Sequence, residues 1–502
     1  MKEIRKTFWD AISITGATAL AIPLMIASES LQARGLGAED YGRVALVVSL
    51  ISLLYLFGLY WLRNAVMRFA KEEFVLEGDF RKTTGTLLLI NMISFLIIVS
   101  LFLGFRQNIY NFLGLQLTNL TLIVILGVFL NFLKEYLLEV LKVIRKIHIQ
   151  AIFGKFINKV LILLGLLLLI SGIVELSVLN VVIVFLTADL LTVILSAIFI
   201  KLSYFFPLKF EWKLLKKVII FSFPLLFASW SGYIVNWVDL YVINYFMSTE
   251  DVGLYHAAYK FLNAIQAFLG TSLIITISTP MIMVFKSTGQ IEKIKNHYLK
   301  RIIPQLSFVG MIAISILILF SDYIFLVVYG ADFDQSILIF KILVASQSFF
   351  VISAAYTGVI TTFDLTKIIL YLGILAGVLN ILLDITLVPI MGIVGAAISS
   401  FLVFCLIPIL RLIFVNRKFG VRNHNAFLFP VSTVIIMLIN ISTIGFVYRL
   451  IFTVFVLFGI IIFTKRIGIF RKADAQILDK IEMSANIRKR LKSFIYAMSA
   501  RE

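Results

Sequence analysis

The chain has 502 residues, of which 61% are hydrophobic and only 14% charged, against about 45–50% and about 25% in soluble proteins. So few charges cannot cover water-facing domains, which excludes a string of soluble ones. The net charge of +18 is explained by a membrane, because anionic lipid and the rules of insertion both draw Lys and Arg to one side; no nucleic-acid partner is needed.

The single cysteine, Cys405, excludes an intrachain disulfide and any multi-cysteine metal site. The histidines, His148, His256, His297 and His424, lie far apart. HExxH, Walker A, GxSxG and GxGxxG patterns are all missing, so neither a resident cofactor nor a metal is expected.

The start, MKEIRKTFWDAISITG, is basic and then apolar, as a signal peptide would be, but the apolar stretch continues to about Ser28 without an early A-x-A site. The expectation is a retained first span. Apolar runs of about 20 residues match a hydrocarbon core of roughly 30 Å. They predict helices over 8–31, 41–67, 83–105, 118–141, 149–171 and 179–200, then 218–246, 253–285, 302–328, 337–363, 368–389 and 393–415, and last 427–444 and 447–464. The fold class expected is therefore an all-α polytopic membrane protein of about fourteen spans.

An even number of spans puts both termini on one side. With that side cytoplasmic, inner segments hold 35 of the 45 basic residues and outer segments only Arg34, Arg43, Arg106 and Arg449, the asymmetry that insertion demands. The tail, 465–502, spaces Ile477, Ile481, Ile487, Leu491, Phe494, Ile495 and Met498 among basic residues, a pattern for an amphipathic helix on the anionic inner leaflet.

A shift of 211 residues brings GLGAEDYG at 35–42 onto FMSTEDVG at 246–253, matching Glu39, Asp40 and Gly42 to Glu250, Asp251 and Gly253. Lys2, Arg5 and Lys6 fall on Lys213, Lys216 and Lys217, and Gly78 and Lys82 on Gly289 and Lys293. Six spans per repeat return the chain to the same side, so two parallel six-helix lobes, 1–210 and 211–420, are expected about an axis along the membrane normal. Residues 421–464 would add two helices and 465–502 the tail. The Glu-Asp pairs read as caps for the next helix N-terminus.

GLGAEDYGRVALVVSLISLL at 35–54 with RNAVMRFA at 63–70 resembles the first hairpin of Wzx-type polysaccharide flippases, in the multidrug/oligosaccharidyl-lipid/polysaccharide (MOP) exporter superfamily. VDLYVINYFMSTEDVGLYHAAYKF at 238–261, VVYGADF at 327–333 and LNILLDITLVPIMGIVGAAISS at 379–400 carry the resemblance into the second half. It implies a non-enzymatic, two-lobed transporter of the cytoplasmic (inner) membrane that alternates between inward and outward openings. The cargo implied is a polyprenyl (undecaprenyl) diphosphate-linked oligosaccharide, with polysaccharide-assembly proteins as further partners. An ion-coupled multidrug exporter and a lipid II-type flippase share the same architecture and stand as alternatives. A membrane-embedded glycosyltransferase would need large polar loops, and the loops here are short.

A diphosphate headgroup cannot cross hydrocarbon without a wet, cationic path. Basic residues inside spans are the candidates, because intramembrane charges face a cavity or a partner: Lys134, Lys159 and Lys260, each about 10 Å or more from the nearer span end at helical rise, then Lys155 and Arg63, with Arg34 and Arg68 at the outer and inner mouths. Lys155 and Lys159, four apart, are expected on one helix face. Glu135 and Glu139 are close enough along the helix to neutralise Lys134 instead. Glu29, Glu135, Glu139, Asp189, Asp239 and Asp384 are candidates for proton or sodium coupling, since burial disfavours a charged carboxylate. Asp239 leads them, with an ion pair to Lys260 as its competing role. Trp230, Tyr233 and Trp237 recur at spacings of three and four, a stripe suited either to sugar stacking or to packing, and Pro224 and Pro280 are places for helix bends.

Overall fold

The computed structural model describes residues 2–115, 120–267, 276–421, 425–442, 444–477 and 485–499. Among these there is no strand. The long helices are α1 (Lys2–Gly58), α2 (Arg81–Leu113), α3 (Leu120–Val143), α4 (Ile147–Ile170), α5 (Val178–Ile198), α6 (Trp212–Phe246) and α7 (Thr249–Gln266). They continue as α8 (Thr276–Ser287), α9 (Ile291–Val328), α10 (Gln335–Thr362), α11 (Thr366–Met391), α12 (Ile393–Phe419), α13 (Asn425–Ile441) and α14 (Phe446–Ile467), with α15 (Lys472–Ile477) and α16 (Ala485–Met498) in the tail.

Ten of these helices are long and apolar enough to cross a membrane. The first two expected spans run as one element, α1, broken where Gly37 takes φ 77, a left-handed backbone that favours glycine. Helix α6 would be an eleventh span, bent by 46° between Trp212–Phe227 and Gly232–Phe246. Pro224 lies on its first arm, where the missing N–H removes a ladder bond. At 17 residues α13 falls short of spanning length, and between α7 and α8 the chain passes through residues outside the description. The side chains of Lys2, Arg5, Lys6, Pro280, Ile477, Ile481, Ile487 and Leu491 also lie outside the described residues.

Helix α7 starts with a capping box: Ser248 Oγ accepts from Asp251 N at 3.1 Å and Ser248 N donates to Asp251 Oδ2 at 3.2 Å. Such boxes satisfy two donors that a helix start leaves open. In the first repeat a helix also starts afresh, after the break at Gly37, but the acids of its first turn pair with a side chain instead: Asp40 with Arg43 at 2.6 Å, and Glu39 with the same guanidinium.

Two compact units share the chain. The first comprises Met1–Phe268, Phe325–Ile339 and Ile369–Ser400; the second Leu269–Ile324, Phe340–Ile368 and Phe401–Glu502. In the first, Val44, Leu166, Val181 and Ala188 pack α1 on α4 and α5, and Leu62, Phe80, Leu87, Val140 and Val218 form another core. In the second, Phe308, Phe429, Phe470 and Met498 join α9, α13 and the tail. Helix α10 has 83% of its most apolar stretch buried and α14 only 11%, so α10 is a core helix and the apolar surface of α14 suits lipid.

Candidate functional site

A cavity of about 560 Å³ lies within the first unit. Its walls are helix faces at i, i+3, i+4, i+7 spacing. Helix α7 contributes His256, Tyr259, Lys260 and Asn263; α6 contributes Ser229, Gly232, Tyr233, Asn236 and Trp237; α1 and the turn after it contribute Ser52, Tyr55, Leu56, Tyr60 and Asn64. Apart from Lys260 and His256 the lining is amide, hydroxyl, aromatic and aliphatic.

The rings are held in order. Tyr233 and Trp237 stack with centroids 6.3 Å apart at 20°, and Trp237 lies 6.2 Å from the His256 ring. Tyr233 Oη donates to the Ser49 carbonyl at 2.9 Å and lies 2.8 Å from the Tyr241 hydroxyl. Asn236 Oδ1 accepts from Tyr259 Oη at 2.9 Å. His256 is 5% exposed and its Nδ1 is buried without a partner among the described residues. Trp230 does not line the cavity; it packs on Phe57 at 4.4 Å and Phe227 at 5.5 Å.

The candidate cations divide by their partners. Lys260 Nζ lies 3.4 Å from Glu29 Oε1, and Glu29 Oε2 accepts from Tyr41 Oη at 2.7 Å. The competing Asp239–Lys260 pair does not form. Lys134 Nζ sits 2.8 Å from Asp189 Oδ2, and Asn158 donates to the other oxygen of that carboxylate at 2.9 Å. The local neutralisation of Lys134 by Glu135 and Glu139 is therefore corrected: Arg63 takes both acids, at 3.1 and 2.7 Å, and Lys142 joins Glu139 at 2.9 Å.

Lys155 and Lys159, four residues apart across the end of an irregular turn, have different partners. Ile152–Ile157 forms a π-helical turn, whose i→i+5 bonds widen the helix and shift side chains around it. Lys155 donates to Thr18 Oγ1 at 2.8 Å. Lys159 stands in the field of Lys260, Lys134, Glu29 and Asp189, half-buried and with no ion pair or hydrogen bond among the described residues.

The two mouth candidates have other contacts. Arg34 caps the end of α9: Nε donates to the Val328 carbonyl at 3.1 Å and Nη2 to the Leu326 carbonyl at 3.0 Å, with Val327 also accepting. Arg68 lies exposed over the Phe221 and Phe69 rings, 4.5 and 5.3 Å from their centroids.

A second polar cluster joins α6, α7, α11 and α12. Asp239 accepts from Ser400 Oγ at 2.7 Å and from Tyr255 Oη. Asp384 Oδ2 accepts from Asn380 Nδ2 at 3.3 Å, and Asn380 also donates to Ser399 Oγ at 3.2 Å. The two carboxyls lie against each other. Both residues are buried, and the Oδ1 of each has no hydrogen-bonding partner among the described residues.

Sequence reasoning missed His256, Tyr259 and Asn263, which were available as a polar stripe with Lys260 along an otherwise apolar helix. Asn380, Tyr255 and Ser400 gave no local signal, since they meet Asp239 only through the fold.

Residues 9–283, more than half of the chain, match the family model described as polysaccharide biosynthesis protein, and the chain belongs to that family. It is similar to two proteins of Haloferax volcanii. One, a probable low-salt glycan biosynthesis flippase, Agl15, is 25% identical over 37% of this chain; the other, a probable flippase, AglR, is 28% identical over 33%. The chain spans little more than a third of those relatives, 38% and 35% of their lengths.

Among solved structures it resembles the lipid II flippase MurJ in an inward closed conformation, at TM-score 0.69 and 17% identity over 89% of this chain and 97% of that one. An inward-facing multidrug resistance MATE family transporter of the MOP superfamily aligns at TM-score 0.62 and 14% identity, over 82% of this chain and 98% of that one. At such identities the likeness concerns the fold, which is that of the MOP exporters.

Proposed function

We propose that this protein is a flippase for a polyprenyl diphosphate-linked oligosaccharide, moving its headgroup across the cytoplasmic membrane for surface glycan assembly without chemical conversion. One observation carries the reading: three polar and aromatic helix faces enclose a cavity with a single lysine, inside a chain otherwise built of apolar helices. Stacked rings and amides suit sugar faces and hydroxyls, while Lys260 and the unpaired Lys159 supply positive charge for the diphosphate. Glu29 is then a counter-ion that the headgroup displaces from Lys260. The family and the names of the two relatives support the same reading.

In this proposal two parallel lobes rock about the cavity, and the Asp239–Asp384 pair couples that motion to an ion. Two buried carboxyls in contact cannot both carry charge without a cation or a shared proton. Their unpartnered Oδ1 atoms, with the oxygens of Tyr255, Ser400 and Asn380 nearby, fit a proton or a sodium ion.

The test is reconstitution of the full chain in vesicles containing a fluorescent polyprenyl diphosphate-linked disaccharide, with label accessibility measured over time. Wild-type protein should equilibrate the label between leaflets, and Lys159→Ala/Lys260→Ala should slow it at least about tenfold, the loss of one charge-assisted contact or more. Undiminished transport by that double variant overturns the reading.

A further inference from the structure

Arg411 lies on α12 in the second unit and shares no residue with the cavity. Its Nη1 donates to Ser353 Oγ at 2.7 Å, Thr357 Oγ1 at 2.9 Å and the Ser353 carbonyl at 3.4 Å. Ser353 and Thr357 are one turn apart on α10, so both hydroxyls grip the same corner of the guanidinium. Among the described residues no carboxylate pairs with it, and its Nε is buried without an acceptor.

Arg301 and Arg449 in the same unit also have a buried Nε without an acceptor, so the missing carboxylate is what sets Arg411 apart. Lys286, Arg301, Lys341 and Arg449 each pair with a carboxylate, of Asp364, Asp474, Asp322 and Asp322 respectively. A buried donor left unmade is costly, and an unpaired charge in a spanning helix more so. Three neutral acceptors fix the orientation of Arg411 and leave its charge uncompensated.

We infer that Arg411, oriented by Ser353 and Thr357, is a binding site for the phosphate ester of a lipid headgroup. Among the described residues neither Nε nor Nη2 has an acceptor; Nε is covered by protein, so Nη2 is the donor a phosphate oxygen would meet first, with Nε beside it in the same plane to complete the fork. Position agrees with chemistry. Arg411 is two turns from the basic end of α12 at Arg417 and Lys418, on the side where positive charge collects, and there inner-leaflet phosphates lie. Thr361, one turn beyond Thr357 on α10, is exposed. The phosphate belongs either to a membrane phospholipid or to a polyprenyl diphosphate.

The experiment uses the purified full chain in detergent, in a Lys159→Ala/Lys260→Ala background so that cavity binding does not contribute. Two probes are titrated separately: phosphatidylglycerol and a fluorescent farnesyl diphosphate. Arg411→Gln should weaken at least one roughly tenfold or more, and Arg411→Lys, which keeps charge but lacks the fork, should weaken it less. Loss of phosphatidylglycerol alone assigns a membrane lipid, and loss of farnesyl diphosphate alone assigns the polyprenyl headgroup. If Arg411→Gln does not fold, Ser353→Ala/Thr357→Val, which frees Nη1 and keeps the charge, should weaken the same probe about threefold. Unchanged affinity for both probes in folded variants overturns the site, and does so whatever the vesicle assay gives for the cavity lysines.

Discussion

Gly42 and Gly253, equivalent positions 211 residues apart in the internal repeat, pack backbone against backbone. A Cβ added at Gly42 would strike the Thr249 carbonyl and come within 2.8 Å of Gly253 N; one added at Gly253 would strike the Ala38 carbonyl and lie 3.1 Å from Gly42 N. The contact is reciprocal, as expected where a two-fold relation passes between copies of one segment. Only glycine permits it. Gly253→Ala is expected to cost about 1–3 kcal/mol through forced separation of the helices, seen as a lower melting temperature in detergent. Gly104→Ala, where an added Cβ meets nothing within 4 Å, should leave it unchanged or raise it. Equal melting temperatures for the two variants would refute the argument.

The same pair marks what the sequence makes legible. Hydrophobic run length gave the all-helical, membrane-spanning class but not the count, since ten or eleven described helices reach spanning length where fourteen were expected, and the repeat aligned two glycines that touch. Ion-pair partners were not legible. Lys134 finds Asp189 across 55 positions rather than the acids beside it, and Lys260 finds Glu29 in the first helix rather than Asp239 across a hairpin. Spacing along one helix says who can meet there, but burial lets a distant carboxylate win wherever the fold brings it closer. The π-helical turn at Ile152–Ile157 was equally hidden.

The Lys134–Asp189 pair gives a second prediction. Both side chains are mostly buried, at 17% and 16% exposure, so removing one partner strands the other charge. Asp189→Asn should destabilise the protein by about 1–3 kcal/mol, below the range for fully buried pairs because solvent still reaches this one. Lys134→Met/Asp189→Leu should recover most of that loss. A double-mutant cycle on chemical or thermal unfolding measures the coupling, and a value near zero would mean that water, not Asp189, satisfies Lys134.

Arg34 tests a structural role against a transport role. It donates to three carbonyls at the end of α9, sharing that of Leu326 with Gly330 N and that of Val328 with Ser30 Oγ, where a helix runs out of its own donors. Arg34→Ala should lower stability by about 1 kcal/mol and speed amide exchange around residues 326–331, while headgroup-probe binding stays at its wild-type value. A variant that exchanges normally but binds the probe poorly would return Arg34 to the substrate path.

The carboxyl pair yields the last prediction. Asp239 sits on α6 beside the cavity-lining Asn236 and Trp237, and Asp384 on α11, so a cation or proton held between them joins two helices, and its departure leaves two repelling charges. Asp384→Asn replaces one charge with an amide that can donate to Asp239. The pair then needs no ion, and the helices stay joined in its absence. In vesicles carrying an imposed proton or sodium gradient, the variant should lose the gradient dependence of flipping while the detergent-solubilised protein still binds the headgroup probe, since Lys260 and Lys159 are untouched. Asp239→Asn should behave alike, because either substitution leaves one carboxylate. Raising pH without a gradient separates the two ions: if the pair shares a proton, wild-type transport falls as that proton is lost and added sodium does not restore it; if it holds sodium, transport does not fall with rising pH but falls when sodium is withdrawn. A gradient response that survives both substitutions would remove this pair from coupling.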